Sequence, residues 1–348
     1  MNSTIEKFVS SWSDGKTVPE NYVFPTGQRP AEHLYPKSKI SVPLIDLGKA
    51  NGPDRSEVVR QIMDASQNLG AFQVINHGVS IELMDNARDM FKEFFNLPAE
   101  EKAKYCSWDT KQKFILYTSN FGYDQEKLHF WRDAVTQRCA PLEECTPYWP
   151  DKPAKYREIV GEYTTKAGEV GLKLLDLIGE GLGVEPGYFE NDLTKEVEMN
   201  VNHYPACPDP TLTLGAGLHS DRSMITILMQ GDVSGLQFNK DGEWIAVDPV
   251  PNVLCVNIGY LMQIVSNGKL RSGDHRAVTN SEVTRESAAL FLTPTKECLI
   301  QPAKALINAQ TPQLFRPLHY HEFLAAHNAG RKAKLSPDQV LKPFLIKP

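Results

Sequence analysis

Hydrophobic residues recur every three to four positions in three long segments of the first half of the chain. This spacing predicts amphipathic helices over Pro53–Gly70, Ile81–Tyr105 and Lys155–Gly183. Glycine ends the first and the third segment, as it often does at the C-terminus of a helix. Pro98 interrupts the second segment, because proline cannot continue the hydrogen-bond ladder of a helix.

After residue 190 the hydrophobic pattern changes to short β-branched runs, which are separated by turn residues at intervals of about ten positions. The runs are VEMNVNHYP, SMITILMQ, GLQF, EWIAVDP, NVLCVNIG, HRAVTN and ESAALFLTP. Lys240–Gly242 predicts a hairpin turn between the third run and the fourth. A succession of short strands and turns is typical of a β-sandwich or a barrel such as a jelly roll.

The segments outside these patterns carry weaker signals. Ser41–Gly48 and the run AFQVINHGV after Gly70 are predicted to be strands. Residues 1–40 mix proline, polar and aromatic residues, which predicts an irregular leader with one short helix near Ile5–Trp12. Residues 106–150 are rich in aromatic side chains without a clear period and are predicted to be irregular.

No internal repeat, low-complexity tract or flexible linker divides the chain, so its parts are expected to form one compact unit. Residues 1–190 are predicted to form an N-terminal mixed α/β part, and residues 191–305 a jelly-roll core. Residues 306–348 are predicted to contain a last helix over His319–Ala329, followed by a coil tail. The expected fold class is therefore mainly β with α.

Composition and charge exclude several classes of function. Of the 348 residues, 41% are hydrophobic and 23% are charged, which is typical of a globular enzyme-sized protein. The net charge of −6 provides no basic excess for nucleic acid, and no apolar run is long enough for a membrane span or a secretory signal. The six cysteines contain no CxxC pair and predict free thiols in a reducing compartment. We expect a cytoplasmic monomer that acts on a small molecule.

Two histidines and an aspartate form the most suggestive chemical pattern. His219 and Asp221 are separated by one residue, so on a strand their side chains would share a face. His275 belongs to a later predicted strand. Two histidines and one carboxylate with open coordination positions form the facial triad of non-haem Fe(II) oxygenases. The HxD pattern alone is common, and two polar residues on an exposed strand would explain it equally well.

A second pair of polar residues lies in the run RESAALFL. Arg285 and Ser287 would also share one face of a strand, while Glu286 would point to the other face. An arginine inside an apolar barrel is costly unless a carboxylate pairs with it, and a ligand carboxylate would suit its bidentate geometry. An arginine on an exposed edge strand is the alternative interpretation.

These motifs together resemble the plant family of Fe(II)- and 2-oxoglutarate-dependent dioxygenases. The resemblance extends in family order over almost the whole chain, and it implies a double-stranded β-helix (jelly-roll) core flanked by N-terminal helices and a C-terminal helix. The motifs are FQVINHGV, NHYPACPDP, HSD, GLQF, VNIG, SNGKLRSGDHR and RES. In its sequence motifs the chain resembles the branch with hyoscyamine 6-hydroxylase, the mugineic-acid-forming dioxygenases, and the salicylate hydroxylase and flavone synthase group.

The resemblance implies a role for each matching residue. It assigns His219, Asp221 and His275 as the iron ligands. It assigns Arg285 and Ser287 to the distal carboxylate of 2-oxoglutarate, with Tyr204 and Asn202 beside the same cosubstrate. The implied cofactors are Fe(II), 2-oxoglutarate and O2, with ascorbate as reductant.

The chain departs from the family pattern at two positions. His203 stands where the family often has tyrosine, and strand alternation predicts that it faces away from the iron. Tyr260 stands where the family often has aspartate, and the sequence offers no mechanistic account of it. Of the other histidines, His77 is expected to pack at a turn. Three histidines near the C-terminus, which are expected to be surface or packing residues, are His319, His321 and His327.

The residues that contact the substrate are the least legible part of the sequence. Phe291 follows Ser287 by four positions and would share its strand face. The other candidate substrate-binding residues are Ser220, Thr293, Trp131 and Phe114. For Phe114 and Trp131, which lie in the aromatic segment 106–150, packing in the core is the alternative explanation.

The resemblance implies oxidation of a small plant specialised metabolite, with formation of succinate and CO2. Hydroxylation is the expected outcome, with a preference for an alkaloid or other amine-bearing substrate. Desaturation, epoxidation or ring formation on a flavonoid, phenolic acid or hormone would use the same iron site. Two further alternatives stay open: an oxidase of the aminocyclopropane type, which would not need the same cosubstrate, and a non-catalytic receptor for a small carboxylate.

Overall fold

Two facing β-sheets, a short two-stranded sheet and a layer of helices form the described part of the protein. A computed structural model describes residues 5–30, 34, 38, 40–333 and 335–346. The strands are β1 (Leu44–Asp46), β2 (Ala71–Ile75), β3 (Phe114–Thr118), β4 (Asp133–Arg138), β5 (Glu196–Tyr204), β6 (Ala216–His219), β7 (Ile225–Met229), β8 (Leu236–Lys240), β9 (Glu243–Ala246), β10 (Leu254–Ile258), β11 (His275–Ala277), β12 (Arg285–Thr293), β13 (Leu299–Ile300) and β14 (Leu318–His319). The helices are α1 (Arg55–Asn68), α2 (Ile81–Phe95), α3 (Ala99–Ala103), α4 (Leu142–Cys145), α5 (Tyr156–Leu182), α6 (Tyr260–Val265), α7 (Tyr320–Lys332) and α8 (Pro337–Leu341).

The larger sheet has eight strands in the order β1-β2-β10-β7-β12-β5-β4-β3, and the smaller sheet has four in the order β6-β11-β8-β9. The two sheets share a buried apolar cluster, in which Leu228 and Ala289 of the larger sheet meet Leu236, Phe238 and Ile245 of the smaller one. The space between the sheets is therefore the barrel interior. This arrangement confirms the predicted jelly-roll core.

The helices cover the outer face of the larger sheet. α5 packs tightly against it, since a Cβ atom at Gly171 would lie 2.9 Å from Cδ2 of Leu292 on β12. Residues of α1, α2 and α5 belong to the same apolar cluster as the outward side chains of β5, β7 and β12. Burial of these apolar surfaces holds the helical layer to the sheet.

The alternation of side chains along β12 separates the two faces of the larger sheet. Ala288, Leu290 and Leu292 lie in the cluster under the helices, so Arg285 and Ser287 point into the barrel interior. In the antiparallel pairing with β5, Arg285 is opposite Tyr204 and Ser287 is opposite Asn202. Side chains that are directly opposite in such a pair lie on the same face. All four candidate cosubstrate residues therefore face the interior.

Most predicted elements are confirmed. The three long helical patterns form α1, α2 with α3, and α5, and the break near Pro98 separates α2 from α3. The predicted hairpin joins β8 to β9, with positive φ at Asp241 (53°) and Gly242 (94°), as a type I′ turn requires.

Three sequence predictions about local structure were wrong. Residues 106–150 contain two strands, β3 and β4, which extend the larger sheet beyond β5. The tail forms the short helix α8, whose first turn is closed by a capping box at Ser336 and Gln339. Near the N-terminus only single 3₁₀ turns form, at Ile5–Lys7 and Val9–Ser11.

The proposed boundaries at residues 190 and 305 divide a continuous hydrogen-bonded structure. Strands β1 to β4, from the first part, lie in the same sheet as β5, β7, β10 and β12. The division into three parts is therefore offered as a proposal about sequence organisation within one unit. In the described part of the chain, no helix combines the length and the apolar character that crossing a bilayer requires.

Candidate metal and cosubstrate site

The predicted metal ligands meet at one end of the smaller sheet. His219 is the last residue of β6 and His275 the first of β11, and the two are paired directly across the ladder. Asp221 lies two residues beyond the end of β6, so its side chain is placed by the loop before β7 rather than by a continued strand. This corrects the sequence argument, which put both members of the HxD pair on one strand.

The three side chains converge on one point. Oδ1 of Asp221 lies 3.9 Å from Nε2 of His219 and 3.8 Å from Nε2 of His275. All three potential ligand atoms are within 4.8 Å of one another. A single ion between them would contact all three.

Hydrogen bonds to the far side of each group set its orientation. Nδ1 of His219 lies 2.8 Å from the carbonyl oxygen of Gly217, and Nδ1 of His275 lies 2.8 Å from that of Gly273. A carbonyl oxygen can only accept, so Nδ1 carries the proton on both rings, and the Nε2 lone pairs are available to a metal.

The carboxylate of Asp221 is held in the same way. Its Oδ2 accepts hydrogen bonds from Oγ1 of Thr226 (2.7 Å) and from Nδ2 of Asn257 (3.0 Å). These two donors lie opposite each other on β7 and β10. The bonds occupy Oδ2 and leave Oδ1 turned toward the two imidazoles.

The electrostatics of the cluster favour the protonation states that a metal requires. Two effects lower the pKa of His219 to about 4: desolvation, which is the larger, and the nearby His275. The side chain is 44% exposed. Burial alone would raise the pKa of Asp221, but His275, His219 and the two hydrogen bonds outweigh it and lower the pKa. Neutral imidazole and ionised carboxylate are the forms that coordinate divalent ions.

The donor set suits a catalytic Fe(II) site. It provides two imidazole nitrogens and one carboxylate oxygen, on side chains that hydrogen bonds hold in place. Asp221 and His275 are buried, whereas His219 borders the open side of the barrel. Three protein ligands leave coordination positions for a cosubstrate and for O2.

Arg285 is a buried charge in the same interior. It is 2% exposed, its Nε donates to the carbonyl oxygen of Val233 (3.1 Å), and its guanidinium lies 5.1 Å from the ring centre of Tyr204. Among the described residues, no carboxylate lies within 4 Å of it. Burial lowers the pKa of Arg285. Glu286 is not its partner, because Glu286 lies on the opposite face and pairs with His203 at 2.9 Å.

Two glycines that directly precede strands of the opposing sheet make room for the candidate cosubstrate residues. A Cβ atom at Gly235 would lie 2.8 Å from Cδ of Arg285, and one at Gly215 would lie 2.5 Å from the ring of Tyr204. Both distances are shorter than real Cβ contacts allow. The close approach of the two sheets around Arg285 and Tyr204 therefore requires glycine at both positions.

The two departures from the family pattern have structural explanations. His203 lies on the helix-facing side of β5, where it stacks on Phe95 with ring centres 4.6 Å apart, as strand alternation predicted. Tyr260 begins α6 and is 2% exposed, and its backbone N–H donates to the carbonyl oxygen of Asp221 (2.8 Å). Its ring packs near Phe323. The backbone of residue 260 thus supports the loop that carries Asp221, while the buried tyrosine ring fills core space beside Phe323.

The other histidines that the structure describes lie outside the metal cluster. His77 is buried, its Nδ1 accepts from the backbone N–H of Val79 and its Nε2 lies 3.2 Å from the carbonyl oxygen of Asn252, which agrees with the expected turn role. His319 and His321 stack on each other at the start of α7, and His327 packs against Phe323.

Two candidate substrate-binding residues lie in the protein core. Phe114 faces the helices, where it packs against Phe94 and Tyr156, because its position in β3 points away from the barrel interior. Trp131 is completely buried, and its indole N–H donates to the carbonyl oxygen of Pro205 (3.0 Å). Packing therefore accounts for both residues, and their contact with the substrate stays a prediction.

The other three candidates have different surroundings. Phe291 lies on the interior face, partly buried, opposite Thr226. Thr293 lies on the same face, where its hydroxyl donates to the carbonyl oxygen of Glu196 (3.3 Å). Ser220 donates its hydroxyl to Asp274 and is 2% exposed, which reduces its availability to a substrate. Contact of Phe291 and Thr293 with the substrate stays a prediction.

Sequence reasoning missed interior residues that β3 and β4 provide. Tyr117 pairs with Ala134, which pairs with Asn202, so all three share the interior face. Tyr117 also stacks on Phe121 with ring centres 4.2 Å apart. Arg132, just before β4, donates to Asn202. Period-two alternation in FILYT would have selected Tyr117, had this run been recognised as a strand.

Comparison with known proteins agrees with this geometry. Residues 196–294 match the 2OG-Fe(II) oxygenase superfamily, and residues 42–157 match the family described as non-haem dioxygenase in morphine synthesis N-terminal. Flavanone 3-dioxygenase 2 of Oryza sativa subsp. japonica is 44% identical over 309 residues, which are 88% of this chain and 89% of the relative. Hyoscyamine 6-dioxygenase of Hyoscyamus niger is 40% identical over 97% of this chain and 98% of the relative.

A third relative, 2'-deoxymugineic-acid 2'-dioxygenase of Hordeum vulgare, is 40% identical over 90% of each chain. The crystal structure of JOX2 in complex with 2OG, Fe and JA superposes with a TM-score of 0.85 at 30% identity, covering 98% of both chains. These similarities cover the metal cluster, the cosubstrate residues and the helical layer alike. The chain belongs to the family of Fe(II)- and 2-oxoglutarate-dependent dioxygenases.

Proposed function

We propose that this dioxygenase hydroxylates a small plant specialised metabolite while 2-oxoglutarate is converted to succinate and CO2. The observation that carries the proposal is the combination, in one barrel, of the His219, Asp221 and His275 cluster with the buried Arg285, which no protein carboxylate accompanies among the described residues. The metal cluster alone would suit many oxidants. The additional interior arginine selects a cosubstrate with a carboxylate.

Each residue of the site has a definable task in this reaction. When bound, Fe(II) would activate O2, which is the oxidant, and 2-oxoglutarate would supply two electrons to O2 as it is converted to succinate and CO2. The protein supplies orientation and a dry environment. Arg285 and Ser287 would bind the distal carboxylate, with Tyr204 and Asn202 beside the same molecule on β5. Leu228, Leu236 and Phe238 surround the interior with apolar surface and exclude water.

An alkaloid or other amine-bearing metabolite is our first candidate substrate. Two observations support it: the similarity to hyoscyamine 6-dioxygenase extends over nearly the full length of both chains, and 2'-deoxymugineic-acid 2'-dioxygenase is equally similar over a shorter range. A flavonoid is the second candidate. It is supported by the 44% identity to flavanone 3-dioxygenase 2 and by the aromatic side chains of Tyr117, Phe121 and Phe291 on or beside the interior face.

The deciding experiment exposes the Fe(II)-loaded protein to 2-oxoglutarate, O2 and a panel of alkaloids, amino acid derivatives, flavanones, phenolic acids and carboxylated hormones. Mass spectrometry then detects the gain of one oxygen atom, or the loss of two hydrogens for desaturation or ring formation. Succinate formation is measured in parallel. Succinate that depends on iron and increases with one class of compound supports the proposal, and product formation without succinate would contradict it.

Three accompanying properties belong to the same proposal. Ascorbate is proposed as the reductant that keeps iron ferrous, which an activity assay with and without ascorbate tests. The chain is proposed to act as a monomer, which light scattering of the purified protein tests. The cytoplasm is proposed as its location, supported by six cysteines that are free thiols, and imaging of a fluorescent fusion tests it.

A further inference from the structure

Arg132 forms a link between the loop before β4 and the interior face of β5. Its Nε donates to the carbonyl oxygen of Ser119 (2.8 Å), and its Nη1 donates to Oδ1 of Asn202 (3.1 Å). Arg132 is half-buried, and no carboxylate of the described residues lies within 4 Å of it. The arginine is therefore held by neutral acceptors, one of which is a candidate cosubstrate residue.

The loop holds Arg132 in place with several further hydrogen bonds. Ser119 has a positive φ of 56°, which is rare for residues other than glycine and persists where the surroundings enforce it. Its backbone N–H donates to the carbonyl oxygen of Arg132 (2.8 Å), and its hydroxyl accepts from the N–H of Phe130 (2.8 Å). This backbone conformation turns the Ser119 carbonyl toward the guanidinium and fixes the side chain.

The chemistry of arginine decides which way the Asn202 amide points. A guanidinium has five N–H donors, no acceptor and a permanent charge. The amide atom that faces it must therefore be oxygen, whichever way the amide would otherwise turn. Nδ2 of Asn202 is then directed away from Arg132. In the described part of the chain, no protein acceptor binds it.

The free amide nitrogen lies among the cosubstrate candidates. Asn202 is directly opposite Ser287, two residues from Tyr204, and it is 7% exposed on the interior face. Two N–H donors that face a buried site are well matched to a carboxylate, because charge-assisted hydrogen bonds are the stronger ones. Reversal of the amide would instead present oxygen to the same carboxylate and repel it.

We propose that Arg132 is a positioning residue that fixes the Asn202 amide with its N–H2 group toward the carboxylate of bound 2-oxoglutarate. The proposal rests on the proposed function, since it assumes that Asn202 contacts this cosubstrate. Arg132 acts through Asn202 and not by direct contact with the cosubstrate. Substitution of Arg132 is therefore expected to weaken the binding of 2-oxoglutarate only while Asn202 is present.

A double-mutant cycle tests this dependence directly. The affinity for 2-oxoglutarate is measured by calorimetry on Mn(II)-loaded protein, so the readout does not need turnover. We expect Arg132→Met and Asn202→Ala each to weaken binding roughly three- to tenfold, the effect of one lost hydrogen bond. The double variant is expected to bind no more weakly than Asn202→Ala alone. Arg132→Lys, which can still donate to Asn202, is expected to recover most of the affinity.

Controls separate this role from a loss of structure. Arg157→Met removes an exposed arginine that donates only to backbone carbonyls, those of Pro147 and Trp149, and it should leave affinity unchanged. The anaerobic charge-transfer absorption of the Fe(II)–2-oxoglutarate complex gives a second readout. If Arg132→Met does not fold, Arg132→Gln replaces it, with an intermediate loss expected.

The outcomes distinguish the inference from the proposed function. A wild-type protein that does not bind 2-oxoglutarate would refute the proposed function. Wild-type binding with no effect of the Met or Gln variant would overturn the role of Arg132 alone. Losses that add in the double variant would show that Arg132 acts independently of Asn202, which also overturns the inference.

Discussion

Replacement of Arg285 by methionine should have opposite effects on cosubstrate affinity and on the stability of the ligand-free protein. Arg285 is 2% exposed, and its Nε donates a hydrogen bond to the carbonyl oxygen of Val233. Without cosubstrate, its charge is buried with no carboxylate among the described residues within 4 Å. Such a charge opposes folding, because desolvation is not repaid by a partner.

The magnitude of the binding effect follows from the bonds that Arg285 can form. Two parallel charge-assisted hydrogen bonds to a carboxylate contribute about 1.5–3 kcal/mol each. We expect a loss of at least about 3 kcal/mol, on the order of 100-fold in the dissociation constant. Lysine at this position keeps the charge but cannot form the bidentate pair, so Arg285→Lys should fall between the two.

Stability should respond in the other direction. Methionine fills a similar volume without a charge, so the Tm of ligand-free Arg285→Met should equal or exceed that of the wild type. The cost of the unpaired Val233 carbonyl opposes this gain, at about 1–3 kcal/mol. Differential scanning calorimetry without 2-oxoglutarate gives the Tm, and titration calorimetry with Mn(II) gives the affinity. A variant with a lower Tm and an unchanged affinity would show that Arg285 is structural, and would refute the reasoning.

Three further predictions test other parts of the site. Asp221→Ala removes one of three metal ligands and should abolish iron-dependent succinate formation; near-normal turnover would exclude the assigned cluster. Gly235→Ala places a Cβ 2.8 Å from Cδ of Arg285 and should raise the KM for 2-oxoglutarate at least several-fold. An unchanged KM would show that the Arg285 side chain moves aside without loss of function. Phe114→Ala should lower the free energy of unfolding in urea by about 3–5 kcal/mol. Tyr117→Ala should mainly raise the KM for the organic substrate. If the two variants affect stability and KM equally, the assignment of the two residues to opposite faces of β3 is wrong.

The candidate cosubstrate residues could be predicted from the sequence because they lie on regular strands. Arg285 and Ser287 are two residues apart on β12, and Tyr204 and Asn202 are two residues apart on β5. Strand periodicity therefore places each pair on one face without knowledge of the tertiary structure. The same periodicity predicts that His203 and Glu286 face the opposite side, where they pair with each other.

Where the chain is irregular, sequence periodicity is no longer a guide. Asp221 follows the end of β6, so its side-chain direction depends on tertiary hydrogen bonds, those from Thr226 and Asn257. Arg132 reaches Asn202 across 70 residues of sequence, through a pairing of β4 with β5 that no local pattern indicates. Contacts of this kind depend on the tertiary structure and cannot be predicted from spacing.

The substrate-binding residues could not be predicted because the sequence does not show which positions of β3 face the barrel interior. Phe114 and Tyr117 lie in one five-residue strand, yet the first packs under the helices and the second faces the interior. A shift by one residue in the assigned parity exchanges core and pocket along the whole strand. β3 is buried at every position, so hydrophobicity does not mark its two faces. The substrate residues of this dioxygenase are therefore best sought on the alternate positions of β3 and β4 that pair with Asn202 and its interior neighbours.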